Sequence, residues 1–190
     1  MVRMTWGAPL SAVIGAVIAL GSTLLVDIRR DRNQRGRDRH LERRKQCVEF
    51  TVALAEAHGA LRTVARRQDG DPRDRRLAAG DAVAGVYPVR EQLLVSGTPE
   101  QLAAGESAFE RLIGVRNAVR AGATLDSVEY HDAYHAFAEA LWRFRLAIRA
   151  DLGEPELAPE SLNRVDWADR EHCDRCRSRA APGLPLGDAG

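Results

Sequence analysis

The chain has 190 residues, a formal net charge of +1 and only 5% aromatic residues. This length suffices for one domain with a modest core, and the abundance of Ala, Leu, Val and Arg favours helices over strands. The near-balanced charge excludes a uniformly basic protein of the kind that coats nucleic acid, because the excess of arginine is confined to one segment near the N terminus.

Residues 5–26 contain no Asp, Glu, Lys, Arg or His and consist mostly of Leu, Ile, Val and Ala. At about 1.5 Å per residue, a helix of this length covers roughly 30 Å, the thickness of a bilayer's hydrocarbon core. We therefore predict an N-terminal transmembrane helix over residues 5–26. The alternatives are a buried soluble helix and a cleavable signal peptide. A signal peptide is disfavoured because Arg3 alone makes a poor basic n-region and the apolar core is too long.

A cluster of basic residues directly after this span predicts its orientation. Because Lys and Arg beside a span stay in the cytoplasm, we expect the N terminus outside the cell membrane and the C-terminal domain in the cytoplasm. The same side chains can bind anionic lipid headgroups. No aromatic residue interleaves with the basic ones between residues 29 and 45, so no nucleic-acid binding is expected. The predicted lipid-binding residues are Arg29, Arg30, Arg32, Arg35, Arg37 and Arg39.

Small residues recur every four positions within the predicted span, at Gly7, Ser11, Gly15 and Ala19. Such a ridge lets two helices approach closely, which predicts a homodimer through this face. The alternative is compositional, since a chain rich in Ala and Gly places small residues at many spacings.

The next segment is predicted to form one long helix from about residue 28 to residue 68. Its first part, residues 27–46, is a basic juxtamembrane stalk in which Asp31 and Arg35 are spaced to form an ion pair. Its second part carries an apolar stripe at spacings of three and four, which requires a partner helix. About three heptads favour a seam within one chain over a long dimeric coiled coil. The stripe comprises Cys47, Phe50, Leu54, Ala57, Leu61 and Val64.

Three further helices complete a predicted antiparallel up-down bundle of about four helices over residues 47–153. The second runs from about 72 to 97, with a break before Pro88, and carries Leu77 and Leu94 among its apolar residues. The third begins at Thr98, which is spaced to form a capping box with Gln101, and the fourth runs from about 126 to 153. Residues 154–190 are rich in Pro and predict a disordered, flexible tail, with at most a short helix from about 161 to 179.

Two short stretches carry a family resemblance. Thr98-Pro99-Glu100 begins a helix, and Phe144, Arg149 and Asp151-Leu152-Gly153 close another. In these stretches the chain is similar to single-span helical membrane-associated proteins of high-GC Gram-positive bacteria. The resemblance implies an anchored helical bundle and assigns no chemistry to any residue.

Four residues form the one candidate metal site. Cys173 and Cys176 have the Cys-x-x-Cys spacing with which two thiolates hold one zinc ion, and His131 and His135, four residues apart on the fourth helix, can supply two more ligands. The alternative is a pair of solvated histidines on the flank of that helix and two reduced thiols in the tail. A redox dithiol is disfavoured because no strand-helix context of the thioredoxin kind is present. Cys47, on the apolar stripe, is predicted to act as a small hydrophobic residue.

Motifs of the common enzyme classes are missing from the sequence. It contains no Gly-rich phosphate loop, no Gly-x-Ser-x-Gly turn and no His-Glu-x-x-His. We therefore predict no enzymatic activity and no cofactor. The favoured interpretation is a single-pass, membrane-anchored interaction or scaffold protein that presents a helical bundle to an unidentified protein partner. The alternatives are a zinc-dependent regulatory binding module and a small, self-assembling membrane-active protein.

Overall fold

The computed structural model describes residues 7–67 and 70–180, and their side chains from residue 30 to residue 177 except at positions 32 and 33. Within these residues the chain forms helices and turns and no strand, which confirms the predicted all-α class. The chain divides into two units, with the boundary between Glu42 and Arg43.

The part of the chain that the structure describes contains six α-helices; short connections join the first five, and a longer segment, residues 152–173, leads from the fifth to the sixth. A 3-10 turn, Pro159–Leu162, lies between the fifth and the sixth. The predicted second helix is divided into two helices at Gly85. This division lies three residues before Pro88 and agrees with the break expected there. The helices are α1 (Gly7–Arg66), α2 (Pro72–Ala84), α3 (Val86–Ser96), α4 (Pro99–Arg120), α5 (Val128–Asp151) and α6 (Asp174–Ala180).

In the first unit, α1 is continuous through the predicted basic stalk. The predicted Asp31–Arg35 ion pair is confirmed, with 2.5 Å between Arg35 Nη2 and Asp31 Oδ2. No helix in the part of the chain that the structure describes has the length and apolar character needed to cross a bilayer. The side chains of the predicted span, with the ridge Gly7, Ser11, Gly15 and Ala19, lie outside the described residues, so the transmembrane helix and the homodimer stay predictions.

The predicted lipid-binding arginines are described in part. Arg30, Arg35, Arg37 and Arg39 are exposed, whereas the side chains of Arg29 and Arg32 lie outside the described residues. Arg35 is paired with Asp31, and the binding of anionic headgroups by these arginines stays a prediction.

The second unit is an antiparallel bundle, as predicted. The six residues of the α1 stripe are all buried. Helix α1 runs antiparallel to α5: the rings of Phe50 and Phe144 meet edge to face at 5.5 Å, and Arg43 lies 3.7 Å from Asp151 at the end of α5. Helices α2 and α3 together fill one bundle position beside α4, where Arg90 of α3 makes a bidentate ion pair with Glu106.

Two apolar residues of the second predicted helix lie outside the core. Leu77 is 59% exposed and Leu94 is 36% exposed. The inward positions of α2 and α3 are occupied instead by Val83, Val86 and Leu93, each of which is 1% exposed. Val83, Val86 and Leu93 follow one another at spacings of three and seven residues and so share one helix face, whereas Leu77 lies off that face and Leu94 lies at its edge.

The start of α4 has the predicted capping box. The Thr98 hydroxyl accepts a hydrogen bond from the Gln101 backbone N–H at 3.3 Å, and the Gln101 side-chain oxygen accepts one from the Thr98 N–H at 3.1 Å. Gln101 is 1% exposed, so these bonds satisfy polar groups that would otherwise be buried without partners.

The described part of the predicted flexible tail, residues 154–180, packs on α5, where the indole of Trp167 stacks on that of Trp142 with 4.7 Å between ring centroids. Its flexibility stays a prediction. The short helix expected from about 161 to 179 is limited to α6 at its C-terminal end, because Asn163 and Asp169 adopt left-handed backbone conformations with φ of 57° and 62°. Residues 181–190 lie outside the described residues.

Candidate metal centre

The first two residues of the site lie one helical turn apart near the start of α5. His131 and His135 are four residues apart, so both imidazoles lie on the same side of the helix, with ring centroids 6.2 Å apart. His135 is fully buried and His131 partly buried. The interpretation of both as solvated histidines on a helix flank is therefore wrong for His135. Its burial follows from the packing of the C-terminal segment over α5.

A polar loop positions that segment. The Asp166 side chain accepts hydrogen bonds from the backbone N–H groups of Ala168, at 2.8 Å, and Asp169, at 3.2 Å. The Glu171 carboxylate accepts one from the N–H of Val165 at 2.7 Å. These bonds satisfy the backbone donors of the loop and fix the direction in which the chain enters α6.

The two cysteines lie at the start of α6. Cys173 immediately precedes the helix, and its carbonyl accepts hydrogen bonds from the N–H groups of Cys176, at 3.0 Å, and Arg177, at 2.9 Å. This turn places both thiol groups on the side that faces α5. The first turn of the helix therefore brings the two thiols of the Cys-x-x-Cys sequence to the same side.

All four side chains converge on one point. Cys173 Sγ lies 3.3 Å from His131 Nδ1, and Cys176 Sγ lies 3.2 Å from His135 Nε2. One ligand atom from each of the four residues lies within 4.8 Å of all the others. Tetrahedral zinc with ordinary bond lengths separates a sulfur ligand from a nitrogen ligand by roughly 3.5 Å, so only small adjustments are needed to accommodate the ion.

A backbone carbonyl orients the buried imidazole. Nδ1 of His135 lies 2.6 Å from the carbonyl oxygen of Ala168. Since a carbonyl only accepts, Nδ1 carries a proton and donates it, and Nε2 points towards Cys176. Metal-binding histidines commonly have this support, which fixes the ring and raises the basicity of the ligand nitrogen.

The other imidazole is held in its neutral form. Burial lowers the pKa of His131, and the neighbouring His135 lowers it further. Neutral imidazole is the metal-binding form of the side chain. The surroundings of His131 therefore reduce the competition between a proton and a metal ion.

Two ion pairs join the C-terminal segment to the region of the two histidines. Arg170 lies 3.6 Å from Asp132 of α5, and Arg175 lies 3.2 Å from Asp126, just before α5. The exposed fractions of the four side chains lie between 49% and 67%, so these pairs add little stability. The segment is held mainly by the Trp167–Trp142 stack and by the contacts of the four candidate ligands.

The third cysteine plays no part in this site. Cys47 is fully buried in the α1 stripe, as predicted, and burial raises the pKa of its thiol to about 11. It behaves as a small hydrophobic residue that stays protonated at physiological pH.

Two contributions to the site were not found in the sequence. The Ala168 carbonyl has no sequence signal, because any residue offers one. The stack of Trp142 and Trp167 did have a signal, since a large aromatic residue is unusual in a disordered tail. A tryptophan in the predicted tail therefore indicated that residues near 167 pack against the bundle.

No protein-family model, curated protein or solved structure matches this chain. The resemblance to membrane-associated proteins of high-GC Gram-positive bacteria therefore stays a prediction. Function is therefore inferred from the geometry and chemistry of the site.

Proposed function

We propose that this protein is a membrane-anchored, zinc-dependent binding module, in which one Zn²⁺ ion fixes the C-terminal segment to the helical bundle. The observation that carries the proposal is the convergence of His131, His135, Cys173 and Cys176, whose ligand atoms lie within 4.8 Å of one another. Two thiolates and two neutral imidazoles are the ligand set of structural zinc sites. Thiolates disfavour Mg²⁺ and Ca²⁺, which prefer oxygen ligands.

The ion would have a structural role. Four protein ligands complete a tetrahedral shell and leave no position for water or substrate, whereas catalytic zinc sites keep one position open. Binding would therefore stabilise the folded arrangement of residues 164–177 on α5. The absence of enzyme motifs in the sequence agrees with this role.

Metal analysis of the purified, detergent-solubilised full-length protein tests the proposal. We expect one zinc ion per chain, lost when Cys173 and Cys176 are both replaced by Ser. The control is Cys47→Ser, which removes a thiol outside the site and is expected to keep its zinc. Sub-stoichiometric zinc that is unchanged in the double variant would rule the metal site out.

The anchor is proposed from the sequence. The uncharged residues 5–26 would span the cell membrane once, with the N terminus outside, and the basic residues after them would contact anionic lipid on the cytoplasmic side. The bundle and its zinc site would then lie in a reducing compartment, where the thiols of Cys173 and Cys176 stay available to a metal.

A reporter that fluoresces only in the cytoplasm, fused to the C terminus, tests this topology. Bright cells are expected, while the same reporter placed before residue 5 should stay dark. A dark, exported C-terminal fusion would contradict the proposed orientation. The protein partner is expected among the proteins that co-purify with the solubilised full-length chain.

A further inference from the structure

A pocket of about 410 Å³ opens directly beside the candidate metal centre. Helix α1 contributes His58 and Arg62 to its wall, α5 contributes Tyr134, and the C-terminal segment contributes Cys173 and Arg175. Since Cys173 and Arg175 belong to the C-terminal segment, the metal would hold part of the pocket wall in place. The volume lies within the range of pockets that bind small molecules.

The positive and negative charges that line this pocket do not cancel, because one cation has no anionic partner among the described residues. Each of its three carboxylates already has a cationic partner: Asp126 pairs with Arg175, Asp169 with Arg164, and Asp174 with Arg177. Arg62, by contrast, makes no ion pair or hydrogen bond with the residues that the structure describes. The uncompensated charge at the pocket is thus one guanidinium group.

A second polar group at the pocket also lacks a protein partner. The Tyr134 ring stacks on His58 with 5.0 Å between centroids, but its hydroxyl makes no hydrogen bond within the described part of the chain. The neighbouring Tyr130 differs, because its hydroxyl is 3.2 Å from His58 Nε2. Two donors, a guanidinium and a phenol, are therefore available at one pocket.

We propose that this pocket binds a small oxyanion, a carboxylate or a phosphate, through Arg62 and the hydroxyl of Tyr134. Guanidinium groups form short, charge-assisted and often bidentate hydrogen bonds with both kinds of anion. A phenol hydroxyl can add a third donor, and the stacked rings of His58 and Tyr134 offer flat aromatic surface to the body of the ligand.

The inference rests on the proposed function in one respect. Because Cys173 and Arg175 form part of the pocket wall, anion binding should require the zinc ion that fixes this segment. The protein would then couple the binding of a metal to the binding of an anionic small molecule, as a regulatory binding module does.

Calorimetric titration of the zinc-loaded, solubilised full-length chain with sodium benzoate and with inorganic phosphate tests the inference. We expect one site per chain for at least one anion, and the response to the two probes separates a carboxylate from a phosphate ligand. Arg62→Gln should weaken binding about tenfold, and Tyr134→Phe by a smaller factor. The matched control is Arg66→Gln, one turn further along α1 and outside the pocket, which should bind as the wild type does.

Zinc content measured on the same samples separates the two proposals. One zinc per chain with no binding of either anion, or with equal binding by Arg62→Gln, overturns the anion site and leaves the metal site intact. A chain without zinc overturns the metal site. In the Cys173→Ser, Cys176→Ser double variant, with its helical content checked by circular dichroism, anion binding should be lost. Undiminished binding there would overturn the coupling.

Discussion

Side chains from three other helices lie close to Gly105 of α4. A Cβ atom added there would lie 2.9 Å from Leu93 of α3, 3.3 Å from Phe144 of α5 and 3.4 Å from Phe50 of α1. A Cβ added at Gly114, nine residues later on the same helix, would meet nothing within 4 Å. The two glycines therefore form a matched pair for replacement by alanine.

The expected magnitudes follow from two opposing effects. Replacing an interior helical Gly by Ala stabilises a helix by about 1 kcal/mol, and this gain applies at both positions. At Gly105 the added methyl also overpacks the core, which costs about 1–3 kcal/mol because Phe50 and Phe144 are fully buried and have little room to shift. The difference in unfolding free energy between the two variants should therefore be about 1–3 kcal/mol, all of it from packing.

Thermal unfolding of the solubilised full-length protein, followed by circular dichroism at 222 nm, measures this difference. We expect Gly114→Ala to raise Tm by roughly 2–4 °C and Gly105→Ala to leave Tm unchanged or lower it, since 1 kcal/mol moves Tm by about that amount in a domain of this size. A Gly105→Ala variant that is stabilised as much as Gly114→Ala would refute the close contact of the four bundle helices at this point.

Three further predictions follow from individual side chains. Thr98→Ala removes the capping box of α4 and should cost about 1 kcal/mol, measured as the urea dependence of unfolding, with Thr63→Ala as an exposed control. Burial lowers the pKa of His58 to about 4, so the folded state binds fewer protons than the unfolded one between pH 6.5 and 4. Stability should therefore fall by up to about 3 kcal/mol as the pH falls through this window, and His58→Gln should lose that part of the slope relative to wild type. A thiol-specific reagent should reach Cys173 and Cys176 once zinc is removed, but Cys47 only after unfolding, because its thiol is buried and stays protonated up to a pH of about 11.

Much of the bundle could be predicted because its signals are local. The α1 stripe from Cys47 to Val64 and the Thr98–Gln101 capping box each depend on residues that are close in the sequence, and each is present in the structure. Where the prediction was wrong, a distant contact decided the outcome. Leu77 is exposed because the face that carries Val83, Val86 and Leu93 is the one that packs on the bundle, and the C-terminal segment packs on α5 because Trp167 meets a partner 25 residues earlier in the chain.

The candidate site shows the same division between local and distant information. Spacing alone identified two pairs of ligands, because four residues on a helix and the Cys-x-x-Cys turn each bring two side chains together. Spacing could not show that the pairs face each other, since that depends on the loop around Asp166 and on the stack of the two tryptophans. Nor could it distinguish a solvated His135 from a buried one that donates to the Ala168 carbonyl. A buried imidazole with one nitrogen bonded to a carbonyl and the other facing a thiol is what separates a metal site from four residues that happen to have suitable spacing. The environment of His135 therefore supports the zinc site together with the convergence of the four ligand atoms.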